Sequence, residues 1–208
     1  MSIKLFYHPF SRAATVVWML EELGTEYSLE FVDLMKGAHK APEFLAINPM
    51  GKLPTVVMDG VVLTEAAAIG MTLADRYGAG SLAPALDAPE RATYNRWILY
   101  APSVIEPCAY AHKEGWDYNA RSAGWGTWEE MSETLTLAIG EGPWLLGDRF
   151  SMADVVFGGT VRFLSMFKML DESPAIRAYI ERLEARPAFQ RSAAIQGRII
   201  EERGLQVG

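Results

Sequence analysis

The sequence predicts an α/β domain built on a mixed four-stranded sheet, followed by an all-α helical bundle domain. Three observations predict it. Strand and helix patterns alternate over the first eighty residues, a stretch rich in Gly, Ala, Pro and Asp follows, and beyond it only helical periodicities appear. The domains are expected at 1–80 and 88–208, with a linker at about 78–88.

Ile3–Tyr7 is a run of strand formers that leads into His8-Pro9-Phe10-Ser11-Arg12. A helical pattern then runs from about Arg12 to Leu23, with Val16, Val17, Trp18, Leu20 and Leu23 on the apolar face and Gly24 as C-cap. A second strand spans Tyr27–Val32, followed by a polar loop and the short segment Pro42–Leu45. After the turn Asn48-Pro49-Met50-Gly51, a third strand covers Leu53–Met58. Asp59-Gly60 is a hairpin signal joining it to Val61–Leu63. A helix from Glu65 to Tyr77 stops at Gly78. A parallel pair needs a crossover and an antiparallel pair only a tight turn, so this order yields the mixed sheet.

Asp87-Ala88-Pro89-Glu90 has the form of a helix start. Helical patterns follow at about 90–112, 126–140, 152–168, 174–185 and 188–203, and Pro102 and Pro107 are expected to kink or split the first. Cys108, Met166, Phe167 and Met169 read as core residues.

Composition narrows the function. Half the residues are hydrophobic and 22 % are charged, as in ordinary globular domains, and no apolar run nears the roughly 18 residues of a membrane span. The opening residues form a strand pattern without a signal peptide's long apolar stretch. The single cysteine excludes an internal disulfide and a cysteine-based zinc site, so a cytoplasmic protein without a metal is expected. A net charge of −7 disfavours nucleic acid and anionic membrane as partners. An anionic small molecule would need local donors.

Four motifs carry chemistry or architecture. Leu53-Pro54 opens a strand with a proline, which has no N–H and adopts the cis form at modest cost. Thr64-Glu65-Ala66 opens a helix, whose first N–H groups suit a carboxylate. His39, Lys40 and Lys52 cluster as cations around 37–52. Ser151-Met152-Ala153-Asp154 has the form of a capping box, with Phe150 and Val155 placed as a hydrophobic staple.

Along essentially its whole length the chain resembles the cytosolic glutathione transferase superfamily, and among its members the bacterial, theta-like, serine-type ones. The resemblance implies a thioredoxin-like first domain in which Leu53-Pro54 is cis and Leu53's backbone pairs with the cysteinyl residue of glutathione. Glu65 then receives the γ-glutamyl amine and the N–H of Ala66 its carboxylate. Family members carry serine where this chain has Ala66, and the missing hydroxyl costs about 1 kcal/mol of binding. His39, Lys40 and Lys52 are implied near the glycine carboxylate. Ser151 and Asp154 match the family's buried structural cap.

A free thiol of pKa about 8.5 is only a few per cent ionised at pH 7, and lowering it by about two units takes about 2.7 kcal/mol. One hydroxyl hydrogen bond plus a helix N-terminus supplies that order of energy. Two hydroxyls lie between the first strand and first helix. Ser11 is favoured, being where the serine-type members hold theirs. Tyr7 is the competitor, a backbone-only or Arg12-assisted site is the remaining alternative, and Phe10 and Arg12 flank the bound tripeptide. Ser11 also reads as a plain N-cap, and the two roles are compatible. A second-substrate pocket is expected from Phe10, Met35, Tyr100, Ser103, Tyr110 and Trp116.

The resemblance thus implies a homodimeric transferase of detoxification type, joining glutathione as co-substrate to a small hydrophobic electrophile. A glutathione-dependent isomerase and a non-catalytic ligand-binding or interaction protein are the alternatives, the latter kept open by Ala66.

Overall fold

Strand β1 (Ile3–Tyr7) lies inside the sheet with neighbours running in opposite senses. Strand β2 (Ser28–Phe31) pairs with it in parallel, because helix α1 (Ala13–Leu23) provides the crossover. Strand β3 (Thr55–Met58) pairs with it antiparallel and β4 (Val61–Thr64) returns on β3, giving the order β2-β1-β3-β4. Asp59 at φ 49° and Gly60 at φ 84° supply the two positive angles of a type I′ hairpin turn. The predicted mixed four-stranded sheet is the observed one. This computed structural model describes residues 2–140 and 142–206.

Two compact units make up the chain, one formed by Met1–Tyr77 with Arg186–Gly208 and the other by Gly78–Ala185. In the first, alternation along β1 sends Ile3, Leu5 and Tyr7 to one face and Phe6 to the other. Helices α1 and α3 (Ala66–Tyr77) pack against each other with Val16, Leu20, Ile69 and Leu73 fully buried. Phe6 joins Val32 and Phe44, the last on the short helix α2 (Pro42–Leu45), with ring centroids 5.4 Å apart and edge to face. Each such burial is worth about 1.5–3 kcal/mol. Helix α1 ends where Gly24, at φ 62°, donates its N–H to the Leu20 carbonyl.

The second unit is helical: α4 (Glu90–Tyr100), α5 (Glu106–Lys113), α6 (Trp128–Ile139), α7 (Met152–Met166) and α8 (Pro174–Glu184). Helices α4 and α5 are the two pieces into which Pro102 and Pro107 divide the first long pattern. The prolines cannot donate to the carbonyls four residues back, and the chain widens over Ala101–Ile105 into a π-helical turn. There the Glu106 N–H reaches the Ala101 carbonyl and the Ser103 hydroxyl donates to the Leu99 carbonyl at 2.6 Å. No helix among the described residues is long and apolar enough to cross a membrane.

Helix α7 is buried on all sides from Met152 to Val161. A Cβ on Gly158 would run into Leu183 of α8, so glycine allows these helices their close approach. Ser151 and Asp154 form the predicted capping box. The carboxylate accepts from the Ser151 N–H at 2.9 Å and its hydroxyl at 3.2 Å, from the Leu145 N–H at 2.9 Å, and from the Tyr179 hydroxyl at 3.0 Å. Burial raises its pKa to about 6 against the opposing pull of those four donors. Phe150 meets Trp144 edge-on at 4.9 Å. Cys108 and Met169 are buried as read, but Met166 and Phe167 are 57 % and 40 % exposed. Helix α7 stops at Met166 and the chain turns away at Lys168, φ 54°, so the apolar pattern outlasts the buried helix face.

Helix α9 (Pro187–Arg203) follows the other helices in sequence, yet it belongs to the first unit, on α1. Arg186 makes a two-pronged pair with Glu22, at 2.6 and 2.8 Å, and Arg191 meets the Glu21 carboxylate and carbonyl, both at 2.7 Å. Between these pairs Phe189 lies edge-on to Trp18, centroids 5.2 Å apart. The predicted boundary, 88–208, rests on helical periodicity, which does not tell which surface a helix packs on.

Replacing Asp154 by Asn sets an amide donor against backbone donors. Asp154→Asn is expected to lower the unfolding free energy by about 2–4 kcal/mol at neutral pH in urea denaturation. A carboxyl whose folded pKa is raised stabilises most below its unfolded pKa of 3.8 and loses that contribution as pH rises through about 6. The margin of wild type over Asp154→Asn therefore narrows over that window.

Candidate functional site

Sheet register decides which loops meet. Tyr7 at the end of β1 pairs with Phe31 at the end of β2, Phe6 pairs with Thr55 at the start of β3, and Thr55 with Thr64 at the end of β4. The loop 8–12, the loop after β2, the turn 48–54 and the head of α3 therefore all leave from one end of the sheet. Ser11, Tyr7, Leu53, Pro54, Glu65 and Ala66 are brought to that end.

The turn is built by a side chain that sequence reading passed over. Asn48, 3 % exposed, donates from Nδ2 to the Lys52 carbonyl and to Thr55 Oγ1, both at 2.9 Å, and accepts at Oδ1 from the Met50 N–H at 3.1 Å. Its signal was its place in Asn-Pro-Met-Gly, where an Asx side chain substitutes for backbone partners. Thr55 Oγ1 closes the same turn on the Lys52 carbonyl at 2.9 Å. The Leu53–Pro54 peptide is cis and Pro54 is buried. Among the described residues no protein group pairs with Leu53's own N–H and C=O, so both are open to an extended ligand backbone.

Gly51 sits at φ 57°, and a Cβ there would lie 2.5 Å from the His39 carbonyl oxygen. Only glycine lets the turn pack on the 3-10 segment Ala38–Lys40. This contact brings two predicted cations to the turn. Lys40 donates to the Met50 carbonyl at 2.8 Å, and His39 is half-buried with Nδ1 unpaired among the described residues. Lys52 is exposed.

Glu65 is exposed and holds φ 62°, a left-handed angle costing a non-glycine residue roughly 1–2 kcal/mol. Its carbonyl accepts from the Ile69 N–H at 2.9 Å, so the strained residue is also the start of α3. Helix α3 then offers the N–H groups of Ala66 and Ala67 as first-turn donors, unpaired among the described residues.

Ser11 is half-buried at the head of α1. Its hydroxyl donates to the His8 carbonyl at 2.7 Å and accepts from the Ala13 N–H at 3.2 Å. The residue thus caps the helix, and the first turn of α1 carries no acid to oppose an anion. Arg12 is the residue before the first helical one, and half-buried Phe10 lies against the His8 ring, centroids 5.6 Å apart. Tyr7 is 1 % exposed and lies on the face of β1 shared with Ile3 and Leu5. Its hydroxyl is buried without a partner among the described residues, and burial drives its pKa well above the usual phenol value.

His8 is another residue that sequence reading left out. It is 1 % exposed, with Nδ1 accepting from the Phe10 N–H at 3.2 Å and Nε2 buried and unpaired among the described residues. Burial lowers its pKa while the Asp33 charge opposes the shift, so the ring is neutral.

The predicted second-substrate residues divide between the units. Phe10 and Met35, the latter 71 % exposed, belong to the first. Tyr100, Ser103, Tyr110 and Trp116 belong to the second. Tyr100 packs edge-on against Trp97 at 5.4 Å and burial raises its pKa, whereas Tyr110 and Trp116 are 40 % and 54 % exposed.

The chain is similar to known proteins over most of its length. Residues 1–72 match the family model for the N-terminal domain of glutathione S-transferases, and residues 118–182 match that for the C-terminal domain. A glutathione S-transferase of Escherichia coli O157:H7, GstA, is 26 % identical over 94 % of this chain and 99 % of its own. The disulfide-bond oxidoreductase YfcG of Escherichia coli K12 is 28 % identical over 89 % of this chain and 92 % of its own. Among solved structures, a glutathione transferase from Methylococcus capsulatus superposes with a TM-score of 0.78 at 30 % identity, covering 94 % of this chain and 99 % of that one.

Because a side chain at residue 51 meets both an adverse φ and the His39 carbonyl, Gly51→Ala is expected to cost about 2 kcal/mol or more in equilibrium unfolding.

Proposed function

This chain belongs to the cytosolic glutathione S-transferase superfamily, and we propose that within it the chain is a serine-type enzyme. In this reading Ser11 holds the thiol of glutathione as a thiolate for attack on a small hydrophobic electrophile. The observation that carries it is the Ser11 hydroxyl at the head of α1, whose oxygen lies 2.7 Å from the His8 carbonyl oxygen to which it donates. Rotation about Cα–Cβ or Cβ–Oγ moves that proton from a neutral acceptor to the sulfur anion. A neutral hydrogen bond is replaced by a charge-assisted one of roughly twice the strength. The N-terminus of α1 adds its dipole. Tyr7 is set aside as activator, since its hydroxyl is sealed in the face of the sheet that holds Leu5 and its proton is held more tightly than in water.

Glutathione is proposed to lie along the sheet end. Its cysteinyl N–H and C=O pair with Leu53, its α-carboxylate takes the first N–H groups of α3, and its amine takes Glu65. His39, Lys40 and Lys52 lie on the side of the glycine carboxylate. The thiol proton leaves to water, the sulfur forms a bond to the electrophilic carbon, and the leaving group departs with its electron pair. A homodimer is proposed with the family.

The likeness to a disulfide-bond oxidoreductase supports a second reading, in which the same thiolate attacks a disulfide sulfur and releases the other half as a thiolate. Cys108 is the chain's single cysteine and is buried, so the thiol that resolves the mixed disulfide would be a second glutathione. Turnover of a glutathione-mixed disulfide against turnover of an aryl halide separates the two.

Calorimetry of glutathione binding, with the thiolate absorbance of the bound tripeptide titrated across pH, tests the main reading. The bound thiol is expected to ionise well below about 8.5, Ser11→Ala to move it back by about one unit or more, and Tyr7→Phe to leave it in place. No binding at millimolar glutathione would overturn the proposal and leave a transferase fold used for something else. Ala66→Ser, which restores a hydroxyl beside the α-carboxylate, is expected to tighten glutathione about fivefold in the same calorimeter.

A further inference from the structure

A serine hydroxyl can meet a sulfur anion in one geometry only if the loop carrying it is fixed, and the bonds inside loop 8–11 all end on His8. Pro9 has no N–H to give. The Ser11 N–H and hydroxyl both go to the His8 carbonyl, at 3.1 and 2.7 Å. What remains is the peptide plane between Pro9 and Phe10. Its N–H donates to His8 Nδ1 at 3.2 Å, and its C=O accepts from Gln196 Nε2 of α9 at 2.9 Å. One rigid peptide is therefore held at both ends, by a side chain of the loop and by one from the far end of the chain.

The second holder is itself held. Gln196 is half-buried, and it shares a helical face with Phe189, Ser192 and Arg203, which follow the three-, four- and seven-residue spacings of one side of α9. Phe189 lies on Trp18, Ser192 is 7 % exposed, and Arg203 lies over the Phe31 ring, 3.8 Å from its centroid. The arginine pairs on Glu21 and Glu22 anchor the earlier turns. Gln196 thus comes from a helix fixed on both sides of it, and an amide so placed has little freedom to leave the Pro9 carbonyl.

We propose that Gln196 is a positioning residue for the active-site serine: by pinning the Pro9–Phe10 peptide it sets where the Ser11 hydroxyl can point. The inference rests on the reading that Ser11 stabilises the thiolate, but the pinning itself does not. Without the amide donor, the peptide plane is held only by His8 Nδ1, and the Pro9 carbonyl is released to rotate toward the site, where its partial negative charge opposes the sulfur anion. His8 serves as the other pin only as the neutral ring.

The test is Gln196→Met, which keeps length and bulk but cannot donate, with Gln196→Glu as a second variant that keeps polarity and also cannot donate. In the unliganded protein, amide hydrogen exchange at Phe10 and Ser11 is expected to rise about fivefold in both variants, with exchange in β1 and β3 unchanged. With glutathione bound, Gln196→Met is expected to raise the thiol pKa by about half a unit, about threefold less thiolate at a pH below it. In a Ser11→Ala background the same substitution should add nothing further. Unchanged exchange at Phe10 and Ser11 overturns the pinning, and an equal thiol shift in both backgrounds overturns its action through Ser11. If Ser11→Ala alone leaves the thiol pKa in place, the serine reading fails, and the exchange rates still decide whether Gln196 holds the loop.

Discussion

Everything proposed for the first unit depends on the pairing of β1 with both its neighbours. A parallel partner on one side and an antiparallel one on the other put the ends of β1, β2 and β4 and the start of β3 at the same edge of the sheet. A slip of one residue would send Phe6 to the face of Leu5 and exchange the two cores. The register is held because both faces are buried, Phe6 with Val32 and Phe44 on one and Leu5 on the other, where β1 meets α1. Loops with no regular structure of their own are thereby given fixed starting points.

Much of this was legible in the residues. Asp59-Gly60 announced its hairpin by chemistry, because both positions require positive φ and the strands on either side are β-branched. Ser151 and Asp154 were legible for a similar reason: a capping box is a local device at fixed spacing. The capping role of Ser11 was also visible. What could not be read was anything that depends on a distant partner. His8 looks like a loop residue until Phe31 and Phe10 are seen against it, and Tyr7 stays a competitor to Ser11 until its face of the strand is known. Gln196 sits in an unremarkable stretch of polar helix, and only tertiary packing gives it the Pro9 carbonyl. Met166 and Phe167 failed for the converse reason, since hydrophobicity does not report where a helix stops.

The two units solve the problem of buried polar groups differently. In the second, a single carboxylate collects four donors from three separate parts of the chain, so the start of α7, the segment at Leu145 and helix α8 are tied to one point. Burial holds the Asp154 carboxyl above its ordinary pKa even against the pull of those donors. At the candidate site of the first unit, several polar groups are left without protein partners among the described residues: the backbone of Leu53, the first N–H groups of α3 and Nε2 of His8. Open groups beside a strained Glu65 are the condition of a surface shaped to receive something, whereas closed groups around Asp154 are the condition of a scaffold.

Helix α9 gives the first unit a discontinuous chain, begun before residue 78 and finished only after residue 185. During synthesis the sheet and α1 leave the ribosome ahead of 78–185, and all of 78–185 is made before the helix that closes over α1 appears. At about 5–20 residues per second that delay is on the order of ten seconds. For that interval Trp18, Glu21 and Glu22 present an uncovered surface, and the loop at Ser11 lacks its last hydrogen bond. The first unit therefore stays open over α1 until 186–203 has been made, and only then can Gln196 reach the Pro9 carbonyl.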